Sequence, residues 1–458
     1  MILSVGMQAG AIAAGPVVRN DTVPADTLAP AAQLDSADVA RWEGSYLVAQ
    51  DHLITLTRME FGLVFMDFST GETRALTPES RNRMSAARTI FGRVPVDFRL
   101  ELRTDRDDRV TGLLVRLASG RTDVARRLQF RHEEVTFRNG EVTLSATLVL
   151  PNGPGPYPAI VRTHGSGAAG RATPAAEWFA YNGIAFLGYD KRGVGRSTGQ
   201  WRGASIDDLA RDALAGVALL KSRPDIDPRR IGISGGSEGA WVAPLAAALS
   251  PDIGYLYVGA FSGHDLGQSI VWRVRTLLTA DGRFSASQID TATALRCAYN
   301  DAILNDRGWD SLRVAIERSK GAEWFSFARV PASLSLFADP RVRAHERHAL
   351  AFDPDTAWSR VHVPVLLLAG GHDRSVASIE TWPRIEAALK RAANTRYTLR
   401  EFPTANHEGL DSVTGSDDEF PTLHRYARGY HQALLDWLRS TLLLGPPVSQ
   451  PATRWRRR

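Results

Sequence analysis

The stretch Ile231–Ala247, IGISGGSEGAWVAPLAA, decides the fold. It holds two overlapping matches to G-x-S-x-G, one around Ser234 (Gly232 to Gly236) and one around Ser237 (Gly235 to Gly239). The motif has chemical meaning when it makes a sharp strand-to-helix turn that lifts a serine hydroxyl off the backbone, with small flanking residues to avoid clashes. RRIGIS reads as the strand and EGAWVAPLAAALS as the helix. Ser237 falls between them, whereas Ser234 ends the strand with two glycines still to come. Ser237 is therefore the expected nucleophile. The next backbone N–H, that of Glu238, would open the helix, where free amides and the dipole favour an anion.

Outward from this turn, strands alternate with helices. Ala159 to Arg162, Ile184 to Tyr189, Arg230 to Ile233, Ile253 to Phe261, Val363 to Ala369 and Tyr397 to Phe402 read as strands. Thr173 to Tyr181 and Ala240 to Leu249 read as helices, as does a run that Ser205 caps with Asp208 three residues on. Such alternation predicts an α/β fold with a mostly parallel sheet and helices on both faces. Asn139-Gly140 predicts a tight hairpin turn with both residues at its centre. Before it, Val96, Phe98, Leu100 and Leu102 alternate with polar residues, as in a half-buried strand, and Arg106-Asp107-Asp108 and Ser69-Thr70-Gly71 read as turns. The 458 residues thus divide into a signal-like segment and linker (1–38), a small antiparallel β domain (39–130), an α/β domain (131–446) and a basic tail (447–458). Within the α/β domain the alternation stops at about 262–360. That insert reads as a helical lid, or its aromatics, among them Trp272, Trp309, Trp324, Phe325, Phe327, Phe337 and Trp358, simply build a core of its own.

A serine hydroxyl needs a base, and the base an orienting acid. A nucleophile on such an elbow takes its acid and then its base from later in the chain. VPVLLLAGGHD places Asp373 just past an apolar strand, and YTLREFPTANHEGL places His407 after the next. Both belong to the C-terminal edge of the sheet, where parallel α/β folds put their sites. His372 is a rival base, but it directly precedes Asp373 and would point elsewhere. An oxyanion hole needs two N–H donors. Glu238 supplies one, and the loop His164-Gly165-Ser166-Gly167 the other, from Ser166 or, as second choice, Gly167. The same loop fits G-x-G-x-x-G (Gly165 to Gly170) with Asp190 twenty residues on, a dinucleotide fingerprint in its expected setting. That rival leaves Ser237, Asp373 and His407 without a role.

HGSG, GYDKRGVGRSTG, GGSEGA, VPVLLLAGGHD and NHEG occur in this order from about Glu133 to Leu444. Together they resemble the α/β-hydrolase superfamily, in its bacterial carboxylesterase branch with an N-terminal β domain. The resemblance implies Ser237 as nucleophile, Asp373 as acid and His407 as base, with Asp190 to Ser197 as a structural loop beside the site. It implies a cofactor-free serine hydrolase that cleaves small-molecule carboxylic esters of short to medium acyl chain. A serine peptidase or thioesterase of the same fold is the alternative, and a non-catalytic binding module on that scaffold the remote one. The chain departs from the family pattern at Gly236, Ala240 and Ala168-Ala169-Gly170, which bear on the shape of the acyl pocket and not on the three catalytic positions.

Composition narrows the rest. A net charge of +5 spread along the chain, with one basic cluster at Arg454, Arg456, Arg457 and Arg458, and no zinc-finger spacing or basic helix, argue against nucleic acid as partner. The single cysteine, Cys297, excludes an intrachain disulfide and a cysteine-based zinc site and is expected as a small buried side chain. His345 and His348 stand three apart on an expected helix, a weak metal pattern without a third ligand. The apolar start MILSVGMQAGAIAAGP has an A-x-A stretch but no basic residue before Arg19; it tips the expected compartment towards periplasmic or secreted over cytoplasmic. No stretch predicts stable membrane insertion, and nothing in the sequence fixes the oligomeric state.

Overall fold

The computed structural model describes residues 34–49, 52–59, 62–92 and 95–445. The signal-like start and the basic tail lie outside them. The first unit is a nine-stranded sheet whose neighbours all pair antiparallel. The alternation at 96–104 works as read: Phe98, Leu100 and Leu102 turn inward to Trp42, Tyr46, Leu56 and Phe65, while Arg99 and Arg103 face water. The Arg106–Asp108 turn is present, with Asp108 in the left-handed region at φ 60°. One element is missing from the sequence reading. Ser36–Trp42 is a helix where linker was expected up to residue 38. Asp35 caps it by accepting from the Asp38 N–H at 2.7 Å, and it delivers Trp42 into the core with no exposed surface.

The second sheet has eight strands, in the order Arg131–Asn139, Val142–Leu150, Ala185–Tyr189, Tyr157–Arg162, Ile226–Gly236, Tyr255–Gly259, Val365–Gly370, Tyr397–Phe402. It is mixed: the first two pairings are antiparallel and the remaining five parallel. The first hairpin corrects the turn expected at Asn139-Gly140. Asn139 pairs with Val142, so the loop residues are Gly140 and Glu141, and only Gly140 has positive φ. Asn139 stays in the strand because its side chain is engaged, donating to Asp212 Oδ1 at 2.8 Å. The strand read as Arg230–Ile233 runs from Ile226 to Gly236. Its glycines have low strand propensity, but Ser234, Gly235 and Gly236 pair with Tyr257, Val258 and Gly259, and the ladder prevails. Helices Ile206–Lys221, Gly239–Leu249 and Ser378–Arg391 cover one face, and Ala175–Tyr181 and Tyr430–Leu442 the other. Ser205 and Asp208 form the expected reciprocal cap.

Between the strands Tyr255–Gly259 and Val365–Gly370 lie helices Leu266–Asp281, Ala286–Asn305, Trp309–Ser319, Pro340–Leu350 and the short Asp355–Trp358. Trp309, Trp324, Phe325, Phe327 and Phe337 join Leu278, Leu295, Tyr299 and Ile316 in a core belonging to this insert. Trp358 instead packs into the sheet core. Cys297, expected to be buried, is exposed, because the inward face of its helix is carried by Leu295, Tyr299, Ala302 and Ile303.

The two units share a core. Leu53, Val64, Met66 and Phe68 of the β domain pack with Trp178, Tyr426 and Tyr430 of the α/β domain. Backbone bonds join them as well: Thr73 N–H donates to His424 O, Ile90 N–H to Leu423 O and Tyr426 N–H to Gly71 O. Buried Arg74 donates to Ala87 O at 2.9 Å and to His424 O at 2.5 Å.

Candidate active site

Ser237 stands at φ 57°, a left-handed backbone that a non-glycine residue adopts at a cost and that marks strained functional turns. The turn is tight. A Cβ on Gly239 would come within 2.6 Å of Thr163 Oγ1, and one on Gly235 would collide with the Gly239 carbonyl. Sequence spacing thus explains why small residues flank Ser237. Glu238 is the N-cap of Gly239–Leu249, so its own N–H lies at a helix start. Ser234 points elsewhere. It is 4% exposed and lines an internal cavity of about 20 Å³ with Arg162, Trp178, Tyr257 and His431.

His407 Nε2 lies 3.1 Å from Ser237 Oγ, and its Nδ1 is 3.1 and 3.0 Å from the two Asp373 carboxylate oxygens. Asp373 follows the strand Val365–Gly370 and His407 the adjacent Tyr397–Phe402, so one parallel pairing sets their separation. Asp373 is held from behind: its Oδ1 accepts from the N–H groups of Ser375 (2.8 Å) and Val376 (3.0 Å). Asn406 braces the histidine loop, its Oδ1 accepting from the N–H groups of Glu408 and Leu410. A carboxylate at Nδ1 fixes the proton there and turns the Nε2 lone pair towards the serine. Burial disfavours a charged His407, but the Asp373 carboxylate outweighs it and holds the imidazole above its ordinary pKa. His372 faces away, with Nδ1 3.0 Å from Ser412 O.

On the other side of Ser237, the loop with Ser166 and Gly167 meets the elbow. The Ser166 side chain hydrogen-bonds the Glu238 carboxylate. Lys191, 2% exposed in its side chain, donates to Gly165 O at 3.1 Å and to Glu238 Oε1 at 2.5 Å. One ammonium therefore ties together the two segments expected to supply oxyanion donors. Burial keeps the Glu238 pKa above the ordinary glutamate range although Lys191 opposes it. Asp190, the acid of the dinucleotide fingerprint, is engaged within the protein. It accepts from Arg171 Nη2 at 2.8 Å and from the N–H groups of Arg171 and Arg196. His348 approaches Asp207 at 3.6 Å, and His345 lies over Gly203.

Sequence reasoning missed three residues here: Lys191 with its Glu238 partner, Glu408 and Arg273. Glu408 is next to His407 with its Oε2 buried and unpartnered. Arg273 comes from the insert, whose helix is seated on the site where Thr276 Oγ1 donates to Arg374 O at 2.8 Å.

A family model described as X-Pro dipeptidyl-peptidase (S15 family) matches residues 139–396. Among curated proteins, the quorum-quenching protein AidA of Acinetobacter baumannii is 38% identical over 109 residues, covering 23% of this chain and 36% of that protein. Esterase EstD of Thermotoga maritima is 28% identical over 166 residues, covering 34% and 39%. The matches thus span under half the length of either relative. Among solved structures, an esterase of Pyrococcus furiosus aligns with TM-score 0.44 and 16% identity over 68% of this chain and 91% of its own. An acylaminoacyl peptidase of Pyrococcus horikoshii aligns with TM-score 0.44 and 13% identity over 88% and 57%.

Proposed function

Since this chain belongs to the X-Pro dipeptidyl-peptidase family S15 and is an α/β-hydrolase, we propose that it is a serine hydrolase of carboxylic esters acting through an acyl-enzyme. The observation that carries the reading is the continuous hydrogen-bonded path Ser237–His407–Asp373, built on a strained elbow. His407 Nε2 takes the hydroxyl proton as Ser237 Oγ attacks the ester carbonyl. The N–H groups of Glu238 and Ser166, or of Gly167 in its place, receive the oxyanion. His407 then protonates the leaving alcohol, and water hydrolyses the acyl-serine by the same route. Asp373 holds the imidazole in the productive tautomer. The helical insert at 262–360 covers the site as a lid and sets the acyl length accepted, short to medium.

Peptide cleavage is the second reading, favoured by the family's description. Wild type, Ser237→Ala and Ser234→Ala are treated with a fluorophosphonate probe and assayed on 4-nitrophenyl acetate, butyrate and octanoate and on Ala-Pro-4-nitroanilide. Labelling of wild type and Ser234→Ala but not Ser237→Ala supports the assignment. Preference for the anilide would replace ester with peptide, and labelling of Ser237→Ala would overturn the nucleophile.

A further inference from the structure

Most arginines of the insert have acid partners: Arg283 meets Asp281 at 2.6 Å, Arg313 meets Asp310 at 2.9 Å and Arg343 meets Asp306 at 3.5 Å. Arg273, Arg296 and Arg329 do not. Among the described residues no carboxylate pairs with any of the three. Arg296 is 3% exposed. Its Nη1 donates to Arg329 O at 2.7 Å and its guanidinium lies 4.7 Å from the Tyr299 ring centre. Its Nε and Nη2 are buried without a hydrogen-bond partner, as is Arg273 Nε. The nearby Glu346 is engaged by the Tyr299 hydroxyl at 3.2 Å. Arg329 ends the 3₁₀ helix Phe325–Ala328 in the left-handed region, at φ 50°.

These groups lead away from the site. Arg273 is one helical turn before Thr276, which docks on the residue after Asp373. The field of Arg273 reaches Asp373 and Glu408 and lowers the His407 pKa, while Arg273 and Arg296 both lower that of Arg329. Exposed Asp417 influences Arg273 and Arg329 without pairing. Like charges gathered with unpartnered nitrogens are unfavourable unless an anion joins them.

We infer that Arg273, Arg329 and Arg296 form an anion subsite, and that the substrate is an ester whose acyl chain ends in a carboxylate, a hemiester of a short dicarboxylic acid. The inference rests on the reading of Ser237 as the acylated residue. The acyl carbonyl sits at Ser237 and the distal carboxylate reaches towards Arg273 and Arg329; hydrolysis consumes one water and yields the diacid and the alcohol.

The test compares mono-4-nitrophenyl glutarate with 4-nitrophenyl pentanoate, a neutral ester of equal acyl length. The ratio of kcat/KM, anionic over neutral, is expected at about tenfold or more. It should fall towards unity in Arg273→Gln and Arg329→Gln, and with rising salt. Arg329→Lys should recover part of it, and Arg318→Gln, on an exposed helix face of the insert, should keep it. Equal turnover of both esters by wild type overturns the subsite while leaving the hydrolase reading intact. Turnover of neither ester overturns the ester reading instead. The subsite is then judged by calorimetric binding of the glutarate hemiester to Ser237→Ala: binding that Arg273→Gln abolishes supports it, and no binding ends it.

Discussion

Replacing Lys191 with methionine tests the buried tie beneath the elbow. The Lys191 side chain is 2% exposed and the Glu238 side chain 21%, so the substitution keeps the volume but leaves a carboxylate without its cation. Removing one partner of a buried pair costs about 3–5 kcal/mol. Glu238 retains some water and the Ser166 hydrogen bond, which places the expected loss at the lower end, about 3 kcal/mol. At about 2 °C per kcal/mol for a chain this large, Tm should fall by about 6 °C. The pH dependence follows from burial, which already raises the folded pKa of Glu238; losing Lys191 raises it further. A group whose folded pKa exceeds its unfolded value binds more protons folded, so its stability penalty is absent below the unfolded pKa and grows as pH rises through the folded one. The deficit of Lys191→Met against wild type should therefore be small near pH 4 and full at pH 8. Adding Glu238→Gln should restore most of it. Urea midpoints for the three proteins at several pH values measure this. A variant as stable as wild type at pH 8, or a deficit that does not change with pH, would refute the argument that a compensated charge is what Lys191 supplies.

On the proposed mechanism His407 acts neutral, and its pKa is raised, so the acid limb of kcat/KM on a neutral ester should inflect above the ordinary histidine value of about 6.5. Asp373→Asn should shift that inflection down and lower kcat by about 10⁴-fold; an unmoved limb would show that Asp373 is not the cause. Gly239→Ala should cost about 1–3 kcal/mol through its encounter with Thr163, read as a lowered urea midpoint at unchanged m. Arg74→Met leaves the His424 and Ala87 carbonyls without their donor, and should destabilise the protein and lower turnover together. Full activity at wild-type stability would separate the β domain from the site.

The juxtaposition of Ser237, Asp373 and His407 was legible because each follows an apolar strand, and parallel strands deliver their C-terminal ends to one edge. Local chemistry was legible too: the Ser205 cap and the Asp108 turn depend on residues three or four apart. What escaped depends on partners remote in sequence. Asn139 stays out of its turn because Asp212 holds it, and the glycines of Gly232–Gly236 stay in strand because Tyr255–Gly259 pairs with them. Cys297 is exposed because its helix already had enough apolar residues facing inward. Lys191 and Glu238 are 47 positions apart, and no spacing rule connects a loop lysine to an elbow carboxylate.

The bonds from Gly71, Thr73, Arg74 and Ile90 to residues 423–426 join parts of the chain 333 to 355 positions apart, just beyond the loop that presents His407. The β domain is therefore a brace for the segment that follows His407 as well as a neighbour. On a ribosome, residues 410–427 would emerge long after the strands they dock on, so assembly of the His407 loop is a late event of synthesis. For protein engineers the unit of exchange follows from the same bonds. A chimera that swaps the N-terminal sheet between relatives keeps its activity only if it carries the matching segment after His407 with it.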